Sequence, residues 1–418
     1  MNGHHGANRL VVIGGGAAGF FCAVNAARLN PHLEVIILEK SNKLLSKVRV
    51  SGGGRCNVTH RCFEIAEMCK RYPRGSNFVK KVFHQFFTTD TIQWFEERGV
   101  KLKAENDGRM FPVTDTSQTV IDCLLTEAAR YKVSIRISAE ATSITQKSSA
   151  FIVQCSGGES IEARSVCIAC GGYPKSTMFG WLRQLGHTIV EPVPSLFTFN
   201  LAKHPITKLM GVAVENVTVK IPSVRLEQQG PLLITHWGLS GPAILKLSAW
   251  GARKLAAANW QFAVTVNWLP QWNEQQLAEE FRVFRFQMAS QKIGNKNPFG
   301  LPQRLWEFLL EQSNVNNEKR WADLPAKDQN KLVKNLCAGE FSVNGKTTFK
   351  EEFVTAGGIT LSEVDANTLM SKRIAGLFFA GEILDVDGVT GGYNFQHAWT
   401  SGFVAAKAIA MHSRDVIV

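Results

Sequence analysis

The stretch VVIGGGAAGFFCAVNAARLN, residues 11–30, sets Gly14, Gly16 and Gly19 in the order G-x-G-x-x-G between an apolar strand and a helix. In that setting the first glycine permits a tight turn, the second lets main chain approach a pyrophosphate, and the third brings helix and strand close together. Unpaired N–H groups and the dipole at the helix start then attract the anion. The spacing predicts a strand from Arg9, a helix over 17–29 and a second strand, LEVIIL, ending at Glu39. A carboxylate at that point can accept from both hydroxyls of an adenosine ribose and repels a 2′-phosphate, so a dinucleotide is expected and NADP in this site is disfavoured.

Two later glycine clusters extend the reading. SGGGRCN, residues 51–57, follows the second strand, and its glycines can lay main-chain N–H groups against a pyrophosphate and a flavin edge, with Arg55 and Lys47 as counter-charges. GLFFAGEILDVDGVTGGYNFQHAWTSG, residues 376–402, reads as a strand ending at Gly381 and Glu382, a turn through Gly391 and Gly392, and a helix from Tyr393. A helix start aimed at a flavin pyrimidine ring would stabilise negative charge there. Together the three segments point to FAD rather than NAD as the resident dinucleotide.

The chain has 418 residues, 45% hydrophobic and 20% charged, which excludes a disordered protein and favours two or three domains. No apolar run reaches the roughly 20 residues of a membrane helix. The N-terminal MNGHHGANRL is polar and unlike a signal peptide, so a cytoplasmic protein without a membrane partner is expected. The net charge of +12 admits nucleic acid, an anionic surface or merely anionic cofactors, and the cations are scattered rather than clustered. Nine cysteines lie mostly in apolar segments and read as reduced thiols. Cys167 and Cys170 form a C-x-x-C, but on a strand pattern, where burial rather than redox activity is the expectation. No cluster with metal-ligand spacing stands out.

Two helices are expected over 77–98, with Thr89 or Asp90 as the cap between them, and another over TSQTVIDCLLTEAARY, residues 116–131. Strands dominate from Val133 to Cys170. From Ser195 the text turns β-rich around a helical patch, GPAILKLSAW, and from Asn273 to Cys337 it is helical and charged. The resulting expectation is an α/β chain with a discontinuous Rossmann-like, glutathione-reductase-like FAD domain (1–194 and 352–418). It is interrupted by a β-barrel-like domain (195–270 and 338–351) and a small helical insertion (271–337).

The glycine segments, with DGRMFPVTD (107–115), THWGLSGPAILKLS (235–248) and VTAGGITLSEV (354–364), resemble the BaiN-like, or aminoacetone oxidase-like, FAD flavoproteins over almost the whole chain. The resemblance implies FAD at Gly14, Gly16, Ala18, Glu39, Ser51, Gly53, Arg55, Asn57, Gly381, Glu382, Tyr393, Asn394 and Phe395. The candidate cofactor set is completed by Ala17, Gly19, Lys40, Lys47, Gly52, Cys56, Ala141, Gly171 and Gly392. It also implies hydride transfer between flavin N5 and a small organic substrate, including carbon–carbon double-bond reduction, with NADH or NADPH as a candidate reductant. The chain departs from the family's glycine-rich pattern at GGYPKSTMFGWLRQLGH, residues 171–187, so that Tyr173, Lys175, Met178 and Trp181 would shape a different pocket. Arg109 and His236 are the candidate acid or anion clamp, although His236 equally suits a hydrogen-bonded histidine within the β domain, and His397 falls one helical turn after Tyr393. Cys56 is read as a small residue packed by the flavin, with a redox partner as the other reading. A flavoenzyme acting on RNA and a non-catalytic flavin-binding redox sensor stand as alternatives.

Overall fold

The structure, a computed structural model, describes residues 8–147, 150–348 and 354–413. They group into two compact units, Met1–Pro194 with Lys350–Val418, and Ser195–Phe349. The expected boundary at 351/352 lies outside the described residues.

The first unit is built on a five-stranded parallel sheet of β1 (Arg9–Ile13), β2 (Glu34–Leu38), β3 (Ser134–Arg136), β4 (Ser165–Ile168) and β5 (Leu377–Phe379), in the order β5-β4-β1-β2-β3. Leu10, Val11 and Val12 of β1 and every residue of β4 are buried, as a parallel sheet covered on both faces requires. The last strand comes from the far end of the chain, so the sheet is completed only after the second unit has been traversed. The first helix, Ala17–Leu29, packs against the C-terminal helix, Tyr393–His412. A Cβ on Gly402 would stand 2.7 Å from the Ala18 carbonyl oxygen, so these helices meet backbone to backbone.

Beside this sheet a short antiparallel sheet joins Thr59–His60 to Arg109–Pro112 and Leu102–Ala104, and it carries His60 to the C-terminal turn. Two helices lie over 76–83 and 88–96. The cap between them differs from the expectation. Phe87 holds the N-cap position, and Asp90, three residues on, reaches back with its carboxylate to accept the Phe87 N–H at 2.7 Å.

The second unit holds a seven-stranded sheet whose first and last members, Gly339–Asn344 and Lys346–Thr347, are consecutive in the chain. Only Gly345, at φ +113°, separates them, so the sheet curls back upon itself as the barrel-like reading requires. The helix Pro242–Ala257 covers one part of it. The helices of 271–337 do not enclose a core of their own. Phe281, Trp306 and Trp321 share one hydrophobic cluster with Phe199, Val219 and Leu247 of the sheet and its helix. Among the described residues no helix is long and apolar enough to cross a membrane.

Two glycines of the first turn separate stability from binding. A Cβ on Gly19 would lie 1.9 Å from the Gly14 carbonyl oxygen, whereas one on Gly16 would meet nothing within 4 Å. Gly19→Ala is therefore expected to lower the thermal and urea stability of the apoprotein by about 2–3 kcal/mol. Gly16→Ala is expected to change it by less than about 0.5 kcal/mol.

Candidate functional site

The turn after β1 is fixed by main-chain bonds. Gly14 N donates to Leu38 O at 2.8 Å, and Leu45 N to Gly15 O at 2.9 Å. Gly14 sits at φ +116° and would place a Cβ 2.4 Å from Ala169 O, so no side chain fits between β1 and β4. The N-cap, Gly16, makes no side-chain cap bond, and the space beside it is open. The first N–H groups of the helix, at Ala17 and Ala18, thus border room that an anion fits.

Glu39, at the end of β2, is held rather than mobile. Its Oε2 accepts from Gly15 N at 2.9 Å, and its Oε1 accepts from Ser41 N and Ser41 Oγ, both at 2.8 Å. A carboxylate has about four acceptor positions, so one remains on Oε2 beside the glycine turn. Next to it Lys40 Nζ lies 5.7 Å from the Tyr173 ring centre, and Tyr173 meets Phe179 edge-on at 5.0 Å. The departing segment 171–187 thus brings Tyr173 beside Lys40. Gly171 is left-handed at φ +77° with open space around it. Ala141 begins a strand of a separate three-stranded sheet and pairs there with Cys155.

SGGGRCN breaks a helix. The helical stretch Ser46–Gly54 turns extended at Ser51 and left-handed at Gly52 and Gly53, with Gly54 also at positive φ. A Cβ on Gly52 would meet Phe111 at 2.8 Å, but Gly53 and Gly54 face nothing within 4 Å. Space is therefore open on the side where a Cβ of either residue would stand. Cys56 is buried at φ +62°, and burial pushes its thiol up to about 12 against a hydrogen bond with Ser51 that lowers it. Such a thiol stays protonated and does not act as a thiolate redox partner. All nine cysteines are free, and burial likewise lifts Cys170 to about 11.

The loop and the C-terminal turn converge. The Asn57 carboxamide, oriented by its neighbours, accepts from Gly392 N at 2.9 Å and donates to Thr59 O at 3.0 Å. Gly392 is left-handed, and a Cβ there would lie 2.6 Å from the Thr59 carbonyl. His60 stacks on Tyr393 with ring centres 4.8 Å apart, and its Nδ1 is 3.1 Å from Gly391 O. Asn394 ties off the same turn, accepting from Gly388 N at 2.8 Å and donating to Gly388 O at 2.9 Å. Phe395 stacks on Trp399 at 5.8 Å. Gly381 donates to Ser401 Oγ at 2.8 Å.

Three further contacts escaped the sequence reading. Tyr72 Oη donates to Tyr393 O at 2.6 Å. Val389 N donates to Arg71 O at 2.9 Å. The fully buried Asp387 takes both guanidinium arms of Arg74. Residues 57–75 thus clamp the turn from Asp387 to Tyr393 by ring stacking, main chain and a bidentate ion pair. Only a pattern of polar residues flanking the glycines marks this clamp in the sequence, because its partners are three hundred residues apart.

The expected counter-charges are already matched. Arg55 Nη1 donates to Glu105 at 2.6 Å and its guanidinium lies 4.0 Å over Phe111, while Lys47 Nζ pairs with Glu382 Oε2 at 2.6 Å. Glu382 Oε1 accepts from Thr355 N at 2.7 Å, so this carboxylate bridges two segments. Arg109 donates to Asp107 at 2.7 Å and to Glu105 at 2.9 Å. Arg55, the expected counter-charge, and Arg109, the expected acid or anion clamp, thus share the Glu105 carboxylate. His236 lies in the second unit, in the Thr235–Gly238 turn, with its ring 4.6 Å from Trp237. His397 is buried in the C-terminal helix, with Nε2 3.3 Å from Gly381 O and Nδ1 without a hydrogen-bond partner. Burial pulls its pKa from 6.5 to about 4 despite that carbonyl. It is a neutral imidazole. Among the described residues no group of three or more His, Cys, Asp or Glu could hold a metal.

The model of one protein family, described as the HI0933-like protein Rossmann domain, matches residues 8–408. The chain is 28% identical over 411 residues to the 3-dehydro-bile acid delta(4,6)-reductase of Clostridium scindens, covering 96% of this chain and 99% of that protein. It is 29% identical over 410 residues to the ribosomal RNA dihydrouridine synthase of Escherichia coli, covering 95% of this chain and 96% of the other. Among solved structures, a flavocytochrome c3 fumarate reductase in an open conformation aligns with a TM-score of 0.51 at 15% identity, over 98% of this chain and 79% of its own. That likeness is one of fold.

Two outcomes follow from this geometry. The folded state holds His397 neutral down to about pH 4, while the unfolded chain takes up its proton near 6.5. The unfolded state therefore binds more protons in that window, and apoprotein stability is expected to fall by about 3 kcal/mol from this residue as pH drops from 6.5 to 4. His397→Gln should flatten that part of a urea-denaturation series against pH. Asp387→Asn leaves the Arg74 guanidinium buried with half its partner, and is expected to cost about 3 kcal/mol in the same assay.

Proposed function

The chain belongs to the HI0933-like Rossmann-domain family and is an FAD-dependent oxidoreductase, and we propose that it reduces a carbon–carbon double bond conjugated to a carbonyl. The observation that carries the cofactor site is the hydrogen bond from Gly392 N to Asn57, which joins the glycine loop to the C-terminal turn. The open faces of Gly16, Gly53 and Gly54, the acceptor position left on Glu39 and the uncapped first helix form a cradle that fits an extended dinucleotide. When bound there, FAD supplies hydride exchange at its ring N5.

Each segment of the chain has a definite task in this reading. Ala17 and Ala18 amides hold the pyrophosphate. Glu39 holds the ribose, with Lys40 and Tyr173 beside it. Gly53 and Gly54 allow main chain against the phosphates and ring edge. The start of the C-terminal helix, pinned by Asn57, His60 and Tyr72, would offer its first amides to the negative charge that gathers on a reduced flavin. Because these donors are fixed before any ligand arrives, little reorganisation opposes them. Arg55, Lys47 and Glu382 act as braces of the cradle. NADH or NADPH is the reductant by chemical class.

The acceptor class comes from the two relatives. A 3-oxo bile acid unsaturated at positions 4 and 6 and a uracil ring have in common a double bond polarised by a carbonyl. Hydride adds at the β-carbon of such a group, charge collects on the carbonyl oxygen, and a proton from an acid closes the α-carbon. His397, neutral and buried, is not suited to that role. A second reading, in which the reducible ring is carried by RNA, is favoured by the ribosomal RNA relative and by the net charge of +12.

Anaerobic stopped-flow reduction of the purified yellow protein by NADH and NADPH, followed by mixing with a 4-en-3-one steroid, a uridine-containing RNA and oxygen, tests the proposal. Reoxidation by one of the conjugated carbonyl acceptors faster than by oxygen is expected. Reoxidation by oxygen alone, or no reduction by either nicotinamide, would sink it. Glu39→Ala removes a charged acceptor and is expected to weaken FAD retention about 10- to 100-fold, read from the flavin-to-protein absorbance ratio after gel filtration.

A further inference from the structure

Three neighbouring strands of the parallel sheet, β4, β1 and β2, end at Ile168, Ile13 and Leu38, and the strand order turns at β1. An open sheet of this kind takes ligands in the crevice beyond such ends. The segment that departs from the family pattern begins there. Cys170 crosses directly against the glycine turn, since a Cβ on Gly14 would lie 2.7 Å from the Cys170 Cα. Gly171 follows in the left-handed region at φ +77°, with nothing within 4 Å of the place its Cβ would take. Gly172 is hemmed in, because a Cβ there would stand 2.6 Å from Thr355. The main chain that leads into Tyr173 is thus pinned on one side and bordered by open space on the other.

Tyr173 itself is held from several directions. Its ring meets the buried Phe179 edge-on with centres 5.0 Å apart, and Lys40 Nζ lies 5.7 Å from its centre. Burial, with Cys170 adding to it, pushes the phenol well above its ordinary range, against a hydrogen bond from Trp181 that lowers it. The hydroxyl is therefore neutral and already bonded to Cys170 and Trp181. Cys170 is in turn within electrostatic reach of both Lys40 and Glu39. An ordinary wall tyrosine held this firmly would turn its ring inward, yet this ring stays partly open to solvent beside an exposed lysine. That lysine directly follows Glu39, the acceptor proposed for the ribose. A base joined to that ribose needs a flat face close at hand, and the face is fixed before the base arrives.

We propose that Tyr173 seats the adenine of the bound dinucleotide, its ring stacking on the base with Lys40 alongside, and that it selects a purine nucleotide over a pyrimidine one. The inference rests on the proposed FAD cradle and gives it a specificity-determining residue from a segment where this chain leaves the family pattern. It implies that the ADP half binds without the flavin, because neither the stack nor the Glu39 acceptor involves the flavin ring.

The test is isothermal titration calorimetry of the flavin-free full chain with FAD, ADP and UDP, the last two sharing ribose and pyrophosphate and differing in the base. The wild-type chain is expected to prefer ADP over UDP by about 5-fold or more. Tyr173→Leu should weaken ADP and FAD by one common factor, about 5- to 100-fold, and leave UDP within about 3-fold, which erases the preference and shows the fold intact. Tyr173→Phe keeps the ring and should restore the preference, whereas Glu39→Ala should weaken ADP and UDP alike. A wild-type chain indifferent to the base, Tyr173→Leu with unchanged ADP affinity or with ADP and UDP weakened together, or a loss for ADP that FAD does not share would overturn the inference. If Tyr173→Leu behaves as expected but Glu39→Ala changes neither nucleotide, the ribose role falls and the adenine seat stands.

Discussion

One carboxamide holds the site together. Asn57 spans the gap between Gly392 N–H and the Thr59 carbonyl, and in doing so sets the start of the C-terminal helix against a glycine loop from the other end of the sequence. Neither partner could take a substitute easily. A side chain at Gly392 would overlap Thr59, and a carboxylate or an apolar side chain at 57 could not donate and accept at once. Around this pair the stack of His60 on Tyr393, the Tyr72 hydroxyl and the buried Arg74–Asp387 pair close off the remaining freedom of the turn. The amides at the start of the C-terminal helix are thus positioned by contacts behind them, and rigidity of this kind is what electrostatic stabilisation of a developing charge requires.

Charge in the site is arranged in matched pairs rather than as a positive field. Lys47 with Glu382, Arg55 with Glu105, and Arg74 with Asp387 each join segments distant in sequence, while Arg109 shares Glu105 from within the same hairpin. On the proposed reading a dinucleotide entering the cradle meets main-chain N–H groups and helix starts, which carry partial charges fixed in direction. Full charges on flexible stems would bind the anion as well, but with greater loss of side-chain freedom.

The parts legible in the sequence were those written in local spacing. The strand, glycine turn, helix and second strand through Glu39 are a contiguous pattern, and steric need alone reserves Gly14 and Gly19 for glycine. The helix start at Tyr393 and the curled β sheet of the second unit were readable for the same reason. What local spacing could not give was the partner of each polar group. Arg55 looks like an unclaimed cation beside three glycines until Glu105 arrives on a different hairpin. Asp387 and Arg74 sit in unremarkable turns, and only the fold brings them into contact. The Phe87 cap failed to announce itself because its capping oxygen belongs to Asp90, so the acid was visible and its direction was not.

The place of β5 in the sheet has a consequence for the newborn chain. Leu377–Phe379 pairs with β4 and leads into the helix that covers the first one, yet it is made after every other strand of its sheet. Until then Ser165–Ile168 is a sheet edge of four apolar-lined residues with open hydrogen-bonding groups, the kind of surface that invites pairing with other chains. Synthesis must run through the whole second unit, which has its own core and can condense meanwhile, before the nucleotide sheet acquires its border strand. Closure of the nucleotide sheet thereby waits on a segment made two hundred or so residues after the strand it protects.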